Sequence, residues 1–249
     1  AYQMLAAEGY IQAVPKSGYY VCKQGVQGLV PPPEDPTQAG EGPPQPRWQY
    51  DFAGGGIDAT LFPLRTWGRI SRDVMRSGAQ LLNHGDPQGD ECLRRAIARY
   101  LHEYRGARAR PKQVVVGAGS ETLLGMVAQL LGPQKRAAVE DPGYAKTAVV
   151  LRNAGVEACP IQVDEHGMRV DILRQSGCCV ACVTPSHQFP TGVTMPAPRR
   201  AELLQWAREG GHIIVEDDYD SEFRFDGHPI ATLQSIDQAG RVIYMNTFS

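Results

Sequence analysis

The sequence has no long apolar run and no large excess of charge of either sign. No hydrophobic stretch approaches the ~20 residues that cross a membrane, and the opening residues AYQM lack the charged and apolar regions of a signal peptide. We therefore expect a cytoplasmic protein with no membrane partner. A formal net charge of −2 over 249 residues gives no general attraction for nucleic acid, so any DNA contact requires a local basic patch.

Cysteine is sparse, and its spacing does not build a metal site. Three of the six cysteines cluster at Cys178, Cys179 and Cys182. Cys179 and Cys182 have the separation of a metal or redox pair, but no second pair and no His-x-His partner lies at ligand spacing. Val180 and Val183 interleave with them as in a buried strand. We expect inert core thiols and no metal.

Hydrophobic periodicity is missing from residues 24–47, which contain seven prolines. Such a segment cannot bury enough apolar surface to offset its ordering entropy, and consecutive prolines favour an extended chain. We predict a linker here, between residues 1–23 and a larger domain over residues 48–249. The 42% hydrophobic content of the whole sequence is ample for a packed core in that domain.

The most informative stretch is an apolar run at residues 213–215 that ends in the acidic residues 216–218. This pattern is typical of a buried parallel strand that delivers side chains to the carboxyl edge of an α/β sheet, where ligands bind. A second run, at residues 241–245, is followed by the hydroxyl residues Thr247 and Ser249. The two strand ends together predict a binding site.

Two earlier strands end in groups that suit a phosphorylated aromatic ligand. Residues 113–116 predict a strand that leads through small residues into a helix over 122–131, a geometry that presents backbone N–H groups to an anion. A strand over 136–140 runs into a turn that places Tyr144 at the strand's exit. Upstream of both, residues 92–104 predict an amphipathic helix with its charged residues in solvent. Its apolar side would carry Leu93, Ile97, Tyr100 and Leu101.

Three motifs then resemble the aminotransferase-type domain of MocR regulators: PSHQFPTG at 185–192, EDDYDSEF at 216–223 and TFS at 247–249. MocR regulators are transcription factors of the GntR superfamily that join a winged helix-turn-helix to a fold-type I domain binding pyridoxal 5'-phosphate (PLP). The motifs occur in the expected order, and the resemblance covers nearly the whole chain. It implies an α/β fold, the large domain of a fold-type I PLP-dependent aminotransferase, with a mixed, mainly parallel sheet between helices.

The same resemblance implies a set of PLP contacts. Gly119, Ser120 and Glu121 would form the phosphate cup, to which Thr247 and Ser249 would add hydroxyls. Above the cup, Tyr144 would stack on the pyridine ring, and Tyr219 would donate to its phenolic oxygen. Asp217 would hold the proton on the ring nitrogen. Asp218 is the alternative, because side chains alternate along a strand and only one of the two can face the ring.

The sequence departs from the fold-type I pattern at two places. Phe189 stands where these aminotransferases commonly carry an Asn that contacts the phenolic oxygen, so that oxygen would rely more on Tyr219. The lysine that forms the Schiff base is expected directly after Ser249, where the sequence ends. We therefore expect no catalytic residue in this chain and no turnover by it. Lys146 would meet a substrate carboxylate, and His187 would be structural or indirect in its role.

Residues 1–23 predict a helix followed by a β-hairpin, and they resemble the end of the recognition helix and the wing of a GntR-type winged helix. Lys16, Ser17 and Gly18 would form the wing tip, which touches DNA phosphates. An ordinary helix and hairpin is the alternative. Because the base-reading part of the helix is absent, we expect these residues alone to bind DNA poorly.

Three functions fit these features. The first is a PLP-dependent DNA-binding transcriptional regulator that senses an amino compound, and the proline-rich linker beside a wing favours it. The second is an aminotransferase acting on amino acids with a 2-oxo acid acceptor. The third is a scaffold that dimerises without PLP. Fold-type I sites are shared between two subunits, so the resemblance also implies a homodimer.

Overall fold

The structure is a computed structural model that describes residues 1–22, 58, 60–78, 83–220, 223 and 231–247. The predicted linker over 24–47 and the predicted contact Ser249 lie outside the described residues. The chain divides into two compact units, Ala1–Gly68 and Arg69–Ser249, and each is described by itself.

The first unit begins with helix α1 (Tyr2–Ala7) and a hairpin of strands β1 (Ile11–Val14) and β2 (Gly18–Val21). The strands are antiparallel, and the ring of Tyr2 stacks on that of Tyr19 with centroids 5.0 Å apart. The predicted helix and hairpin are therefore confirmed. Their identity as part of a winged helix stays a prediction.

The second unit contains a six-stranded sheet in the order β5-β4-β3-β6-β7-β8. All neighbouring strands are parallel except β4 and β5, which are antiparallel. The sheet is therefore mixed and mainly parallel, as predicted. Its strands are β3 (Arg136–Asp141), β4 (Glu157–Asp164), β5 (Gly167–Met168), β6 (Val180–Val183), β7 (Ile213–Asp218) and β8 (Val242–Asn246).

Helices cover both faces of this sheet because its strands are apolar on both. On one face, Leu203 and Trp206 pack with Ile214 of β7. On the other face, Leu124 and Leu151 pack with Val215 of the same strand. The described helices that follow the hairpin are α2 (Leu64–Arg76), α3 (Glu91–Arg105), α4 (Ser120–Leu131), α5 (Ala145–Asn153), α6 (Val170–Gln175), α7 (Ala197–Gly210) and α8 (Leu233–Ile236). None of the helices in the described part of the chain combines the length and apolarity that a membrane span requires.

The predicted strand over 113–116 does not form. Pro111–Gln113 is instead a short 3₁₀ turn, and the backbone around it finds partners in Gln88. The Gln88 side-chain amide donates to the carbonyls of Lys112 at 2.7 Å and Val114 at 2.9 Å, and the Val116 N–H donates to the Gln88 carbonyl at 2.9 Å. A strand requires a neighbouring strand to pair with, and here the apolar run pairs with a loop.

Helix α3 buries a different face from the predicted one. Leu93 is 43% exposed, whereas Arg94, Ala98, Leu101 and Arg105 are buried. The expectation that the charged residues of 92–104 face solvent is therefore wrong for Arg94, while the buried Arg105 lies one residue beyond that predicted helix. Arg94 is tolerated inside because its guanidinium group donates to the Gly89 carbonyl at 2.7 Å and pairs with Asp86 at 2.9 Å, which replaces its lost hydration.

Candidate functional site

The carboxyl ends of the central strands border a cleft that is open to solvent. Parallel register aligns Val139 with Cys182 and Cys182 with Val215, so β3, β6 and β7 end at one edge of the sheet. The first turns of α4 and α5 face the same opening. Among its lining residues are Ser120, Glu121, Tyr144, Thr184, Asp217 and Met245. The structure thus brings together four of the predicted contacts.

Helix α4 presents its amino end to the cleft. It begins at Ser120, two residues before the predicted start, so Ser120 and Glu121 lie in its first turn. Gly119 is the capping residue and has φ of +102°, a conformation that favours glycine. No side chain of the described residues caps this helix. The backbone N–H groups and the positive end of the helix dipole are therefore available to an anion.

Tyr144 lies at the turn from β3 into α5, and this turn requires a glycine. A Cβ atom on Gly143 would lie 2.3 Å from the carbonyl oxygen of Glu140. Tyr144 follows as the residue that caps α5. Its side chain is 41% exposed, and it meets Phe189 edge to face with ring centroids 6.3 Å apart. The turn therefore holds an aromatic ring at the cleft with surface left for a flat partner.

Lys146 already has a partner in this structure. Its ammonium group lies 2.5 Å from the carboxylate of Glu121, and both side chains are exposed. The hydrogen bond and the charge of Glu121 raise the pKa of Lys146. Glu121 therefore contributes a backbone N–H at the helix start, while its carboxylate pairs at the rim with the lysine that the sequence assigned to a substrate carboxylate.

Two of the acidic side chains of β7 have partners away from the cleft. Glu216 is fully buried and accepts the N–H groups of Leu233 at 2.8 Å and Gln234 at 3.0 Å, where α8 begins. Asp218 is also buried and forms an ion pair with Arg105 at 2.6 Å. Glu216 is satisfied by the protein itself, whereas Asp218 is bound through Oδ2 and its buried Oδ1 has no hydrogen-bond partner among the described residues. Both carboxylates lie away from the cleft and stabilise the strand's end.

Asp217 points to the other face and lines the cleft. Within the described part of the chain, no hydrogen bond or ion pair reaches its carboxylate. Burial, and secondly the nearby charge of Asp218, raises the pKa of Asp217 to about 6. Strand alternation thus selects Asp217 over Asp218, and a cation placed beside it would lower that pKa again.

The floor of the cleft holds a second carboxyl group that sequence reasoning missed. Glu140 accepts the hydroxyl of Thr184 at 2.6 Å and the side-chain amide of Gln188 at 3.2 Å, and burial raises its pKa. The signal available was its place at the end of β3, directly before the turn to Tyr144.

The cysteine that lines the cleft is not reactive. Burial raises the pKa of the Cys182 thiol on β6 to about 12, so this thiol stays protonated. The described residues gather no group of three side chains suited to a metal ion.

Tyr219 directly follows β7, two residues beyond Asp217, and is not among the residues that line the cleft. Its hydroxyl lies 3.4 Å from Nδ1 of His187, and the two rings stack with centroids 6.1 Å apart. The carboxylate of Asp220 lies within hydrogen-bond distance of the same ring nitrogen. Burial, followed by the charges of Asp220, Asp217 and Glu140, raises the pKa of Tyr219 to about 12. Tyr219 therefore stays a phenol that can donate a hydrogen bond.

Thr247 directly follows β8, whose Met245 lines the cleft, and it is half-buried. The end of β8 is held to that of β7 by side chains. The Tyr244 hydroxyl donates to Asp218 at 2.5 Å, and the Asn246 amide donates to the Asp218 carbonyl at 2.8 Å. Arg105 pairs with the same carboxylate, so hydrogen bonds and an ion pair hold the ends of β7 and β8 together. Sequence reasoning missed Arg105, which is 113 residues from Asp218.

The predicted DNA contacts lie in the first unit, in the turn of the β1–β2 hairpin. Lys16 has φ of +63° and Gly18 has φ of +106°, and the Ser17 hydroxyl lies 2.6 Å from that of Tyr20. All three turn residues are exposed. The structure therefore presents Lys16, Ser17 and Gly18 at the tip of a short hairpin.

Comparisons with known proteins agree with this geometry. The family model for aminotransferase class I and II matches residues 58–249. The uncharacterized HTH-type transcriptional regulator YhdI of Bacillus subtilis is 38% identical over 253 residues, which is 100% of this chain and 54% of that protein. The probable rhizopine catabolism regulatory protein MocR of Rhizobium meliloti is 33% identical over 263 residues, again 100% of this chain and 53% of that protein. The chain spans about half the length of these curated relatives.

Among solved structures, the kynurenine aminotransferase of Pyrococcus horikoshii in complex with PMP superposes with a TM-score of 0.72 at 30% identity. The match covers 79% of this chain and 51% of that one. These likenesses confirm the resemblance to MocR regulators and the aminotransferase large-domain fold, both of which the sequence motifs predict.

Proposed function

The chain belongs to the aminotransferase class I and II family, and from that premise we propose that its cleft binds PLP within a DNA-binding transcriptional regulator of the MocR type. The observation that carries the proposal is Asp217, a largely buried carboxylate that lines the cleft without a partner among the described residues. The protonated pyridine nitrogen of PLP is a cation that fits this position. When bound, PLP supplies an electron sink for reactions at the carbon next to an amino group.

The contacts predicted from the sequence would together bind and orient the ring. Asp217 would hold the proton on the pyridine nitrogen, and Tyr144 would stack on the ring face. Tyr219 would donate to the phenolic oxygen. The phosphate would be held by the start of α4 and by two hydroxyls, that is by Gly119, Ser120, Glu121, Thr247 and Ser249.

The regulator part of the proposal rests on the relatives and on the first unit. Both relatives described above are named as regulators, and we propose that α1 and its hairpin are the end of a winged helix. Lys16, Ser17 and Gly18 would then contact DNA phosphates, and an amino compound bound over the PLP ring would be the effector. We place this regulator in the cytoplasm and expect it to act as a homodimer.

An aminotransferase acting on amino acids is the second candidate, and the 30% identity to a solved kynurenine aminotransferase supports it. The two functions are separated by adding single amino acids to the PLP-loaded full gene product. An aminotransferase releases a 2-oxo acid with each turnover when an acceptor is present. A regulator of the proposed kind changes its affinity for DNA instead.

The PLP proposal is tested with pyridoxamine 5'-phosphate (PMP), whose amine needs no covalent bond to a lysine. Calorimetric titration of the chain should show saturable binding. Asp217→Asn should weaken it by about 10- to 100-fold, since hydrogen bonds to charged groups contribute about 1.5–3 kcal/mol. Asp171→Asn is the matched control, because that exposed carboxylate pairs with Arg169 outside the cleft. Absence of PMP binding near 1 mM, which is a free energy of about −4 kcal/mol, would sink the proposal.

The DNA proposal is tested with the full gene product by selecting duplexes from a random pool. Binding to a selected duplex should weaken steeply with salt. Lys16→Ala should lower the magnitude of the salt slope by about one, as expected for one phosphate contact. The proposed role of the hairpin would be contradicted if the full gene product selected no duplex from the pool. It would also be contradicted if Lys16→Ala left the salt slope of binding unchanged.

A further inference from the structure

Three side chains form a cluster at the end of β7 whose chemistry goes beyond the assigned contacts. The Tyr219 hydroxyl lies 3.4 Å from Nδ1 of His187, and the carboxylate of Asp220 pairs with that same nitrogen. The imidazole and phenol rings are stacked, with 15° between their planes. Both the tyrosine hydroxyl and the carboxylate therefore approach one nitrogen atom, which can carry only one hydrogen.

The carboxylate decides which group that nitrogen serves. An ionised carboxylate only accepts hydrogen bonds, so Nδ1 must carry the hydrogen and donate it to Asp220. Nδ1 then has no lone pair for the Tyr219 hydroxyl. The hydrogen of that hydroxyl is therefore left for another acceptor, while the stacked imidazole restricts where the phenol can turn.

The loop that carries His187 is itself fixed to the floor of the cleft. Its neighbour Gln188 is 2% exposed and donates to Glu140 at 3.2 Å and to the Pro142 carbonyl at 2.9 Å. The side-chain oxygen of Gln188 accepts the Thr191 hydroxyl at 2.6 Å. Every polar atom of the Gln188 side chain is thus used to hold the loop, and His187 is presented from a rigid support.

We propose that His187 and Asp220 are a positioning dyad that holds the Tyr219 hydroxyl as the donor to the phenolic oxygen of the bound pyridine ring. The inference rests on the proposed function, since it requires PLP or PMP in the cleft. It also accounts for Phe189, which supplies no polar group to that oxygen. The single remaining donor then has to be held in place by its neighbours.

The test is a double-mutant cycle on PMP binding to the chain. Tyr219→Phe and His187→Leu should each weaken PMP binding by about tenfold, the effect of one hydrogen bond. The double variant should bind as Tyr219→Phe does, because the dyad acts only through the hydroxyl. His187→Asn should bind PMP more tightly than His187→Leu and less tightly than the wild type, since its amide N–H can donate to Asp220 in place of Nδ1–H but it lacks the stacked ring. Losses that add in the double variant would overturn the dyad.

A change in the ligand gives an independent readout. A PMP analogue without the phenolic hydroxyl should bind equally to the wild type and to His187→Leu. The absorbance band of bound PMP, which reports ionisation of the phenolic oxygen, should shift in His187→Leu and shift less in His187→Asn. A tenfold loss that persists with the analogue would show a merely structural role for His187.

The outcomes separate this inference from the function beneath it. A wild-type chain that fails to bind PMP overturns both. Binding by the wild type together with full-strength binding by His187→Leu overturns the dyad alone. His187 is 51% exposed, so its variants should fold, and circular dichroism checks this. Should His187→Leu not fold, Asp220→Ala replaces it, with a loss expected in the wild-type background and none beside Tyr219→Phe.

Discussion

At the scale of single residues, Asp217 destabilises the ligand-free chain. Its pKa is raised from 3.8 to about 6, so ionising this carboxyl group lowers the free energy of unfolding. The stability is therefore fully present below pH 4, where the group is protonated, and is lost as pH rises through about 6. Asp217→Asn should therefore make the ligand-free chain more stable at pH 7.5 by about 2 kcal/mol, allowing for partial solvent screening. At pH 4 the variant and the wild type should be equally stable.

Urea unfolding at the two pH values measures this difference directly. A stability difference that is the same at pH 4 and pH 7.5 would show that the charge of Asp217 is not its source. The same substitution is expected to weaken PMP binding. A gain in stability with a loss of affinity would identify Asp217 as a residue kept for its ligand.

Gly143 offers a second test at this scale. A methyl group there would lie 2.3 Å from the Glu140 carbonyl oxygen, so Gly143→Ala should cost about 2 kcal/mol of stability. The matched control is Gly125→Ala within α4, where the nearest atom to the new methyl group lies 3.9 Å away. That variant should gain about 0.5–1 kcal/mol, because glycine is a poor helix residue. Equal effects of the two changes in urea unfolding would contradict the close contact.

At the residue level, strand alternation predicted that only one of Asp217 and Asp218 would face the cleft, and the resemblance chose Asp217. Asp217 and Asp218 are adjacent, and the two-residue period of a strand sends only one of them to the cleft. Sequence reasoning assigned no role to Glu140, and it could not see that Tyr219 and Asp220 both approach Nδ1 of His187. Those contacts join segments far apart in the chain, and no local pattern encodes them.

At the scale of elements, the buried ion pair between α3 and β7 holds the edge of the sheet that bears the cleft. Arg105 and Asp218 have side chains 3% and 0% exposed. Arg105→Met should lower the free energy of unfolding by about 3–5 kcal/mol, because it leaves Asp218 buried without its countercharge. The measurement is the urea midpoint at constant slope.

The matched control is Arg95→Met on the same helix. Arg95 pairs with Glu91 across one turn, and both side chains are more than half exposed, so its loss should cost at most about 0.5 kcal/mol. If both substitutions had the same small effect, the buried pair would not be what fastens α3 to the sheet.

The errors of the sequence interpretation also belong to this scale. Hydrophobic periodicity placed Leu93 inside and Arg94 outside, since it reports apolarity and not the presence of a polar partner. Residues 113–116 were apolar enough for a strand, but Gln88 supplies hydrogen bonds to this segment in place of a neighbouring strand. Both errors arise where a hydrogen bond or an ion pair to a polar group in another segment determines the local structure.

At the scale of the whole molecule, the strand directions follow what the resemblance implied, whereas the strand order was not predicted. The mixed, mainly parallel sheet agrees with that prediction, because three motif-bearing strands must end at one edge to form a cleft. The identity of residues 1–23 as part of a winged helix stays a prediction. A helix and a hairpin of these lengths occur in many folds, and only residues that read DNA would distinguish them.

The linkage between binding and folding gives a prediction for the second unit. PMP at about one hundred times its dissociation constant should stabilise this unit by about 2.7 kcal/mol. For a domain of this size that corresponds to a rise in the unfolding midpoint of about 5–10 °C, measurable by calorimetry. Asp217→Asn at the same PMP concentration should show a clearly smaller rise. An equal rise in both proteins would place the PMP elsewhere.

The cleft draws its residues from segments scattered between Ser120 and Met245. No single segment of the sheet carries enough of these residues to bind a small molecule. The ligand therefore cannot promote folding before the sheet has formed. It binds after the chain has folded, and it slows unfolding while leaving the folding rate unchanged.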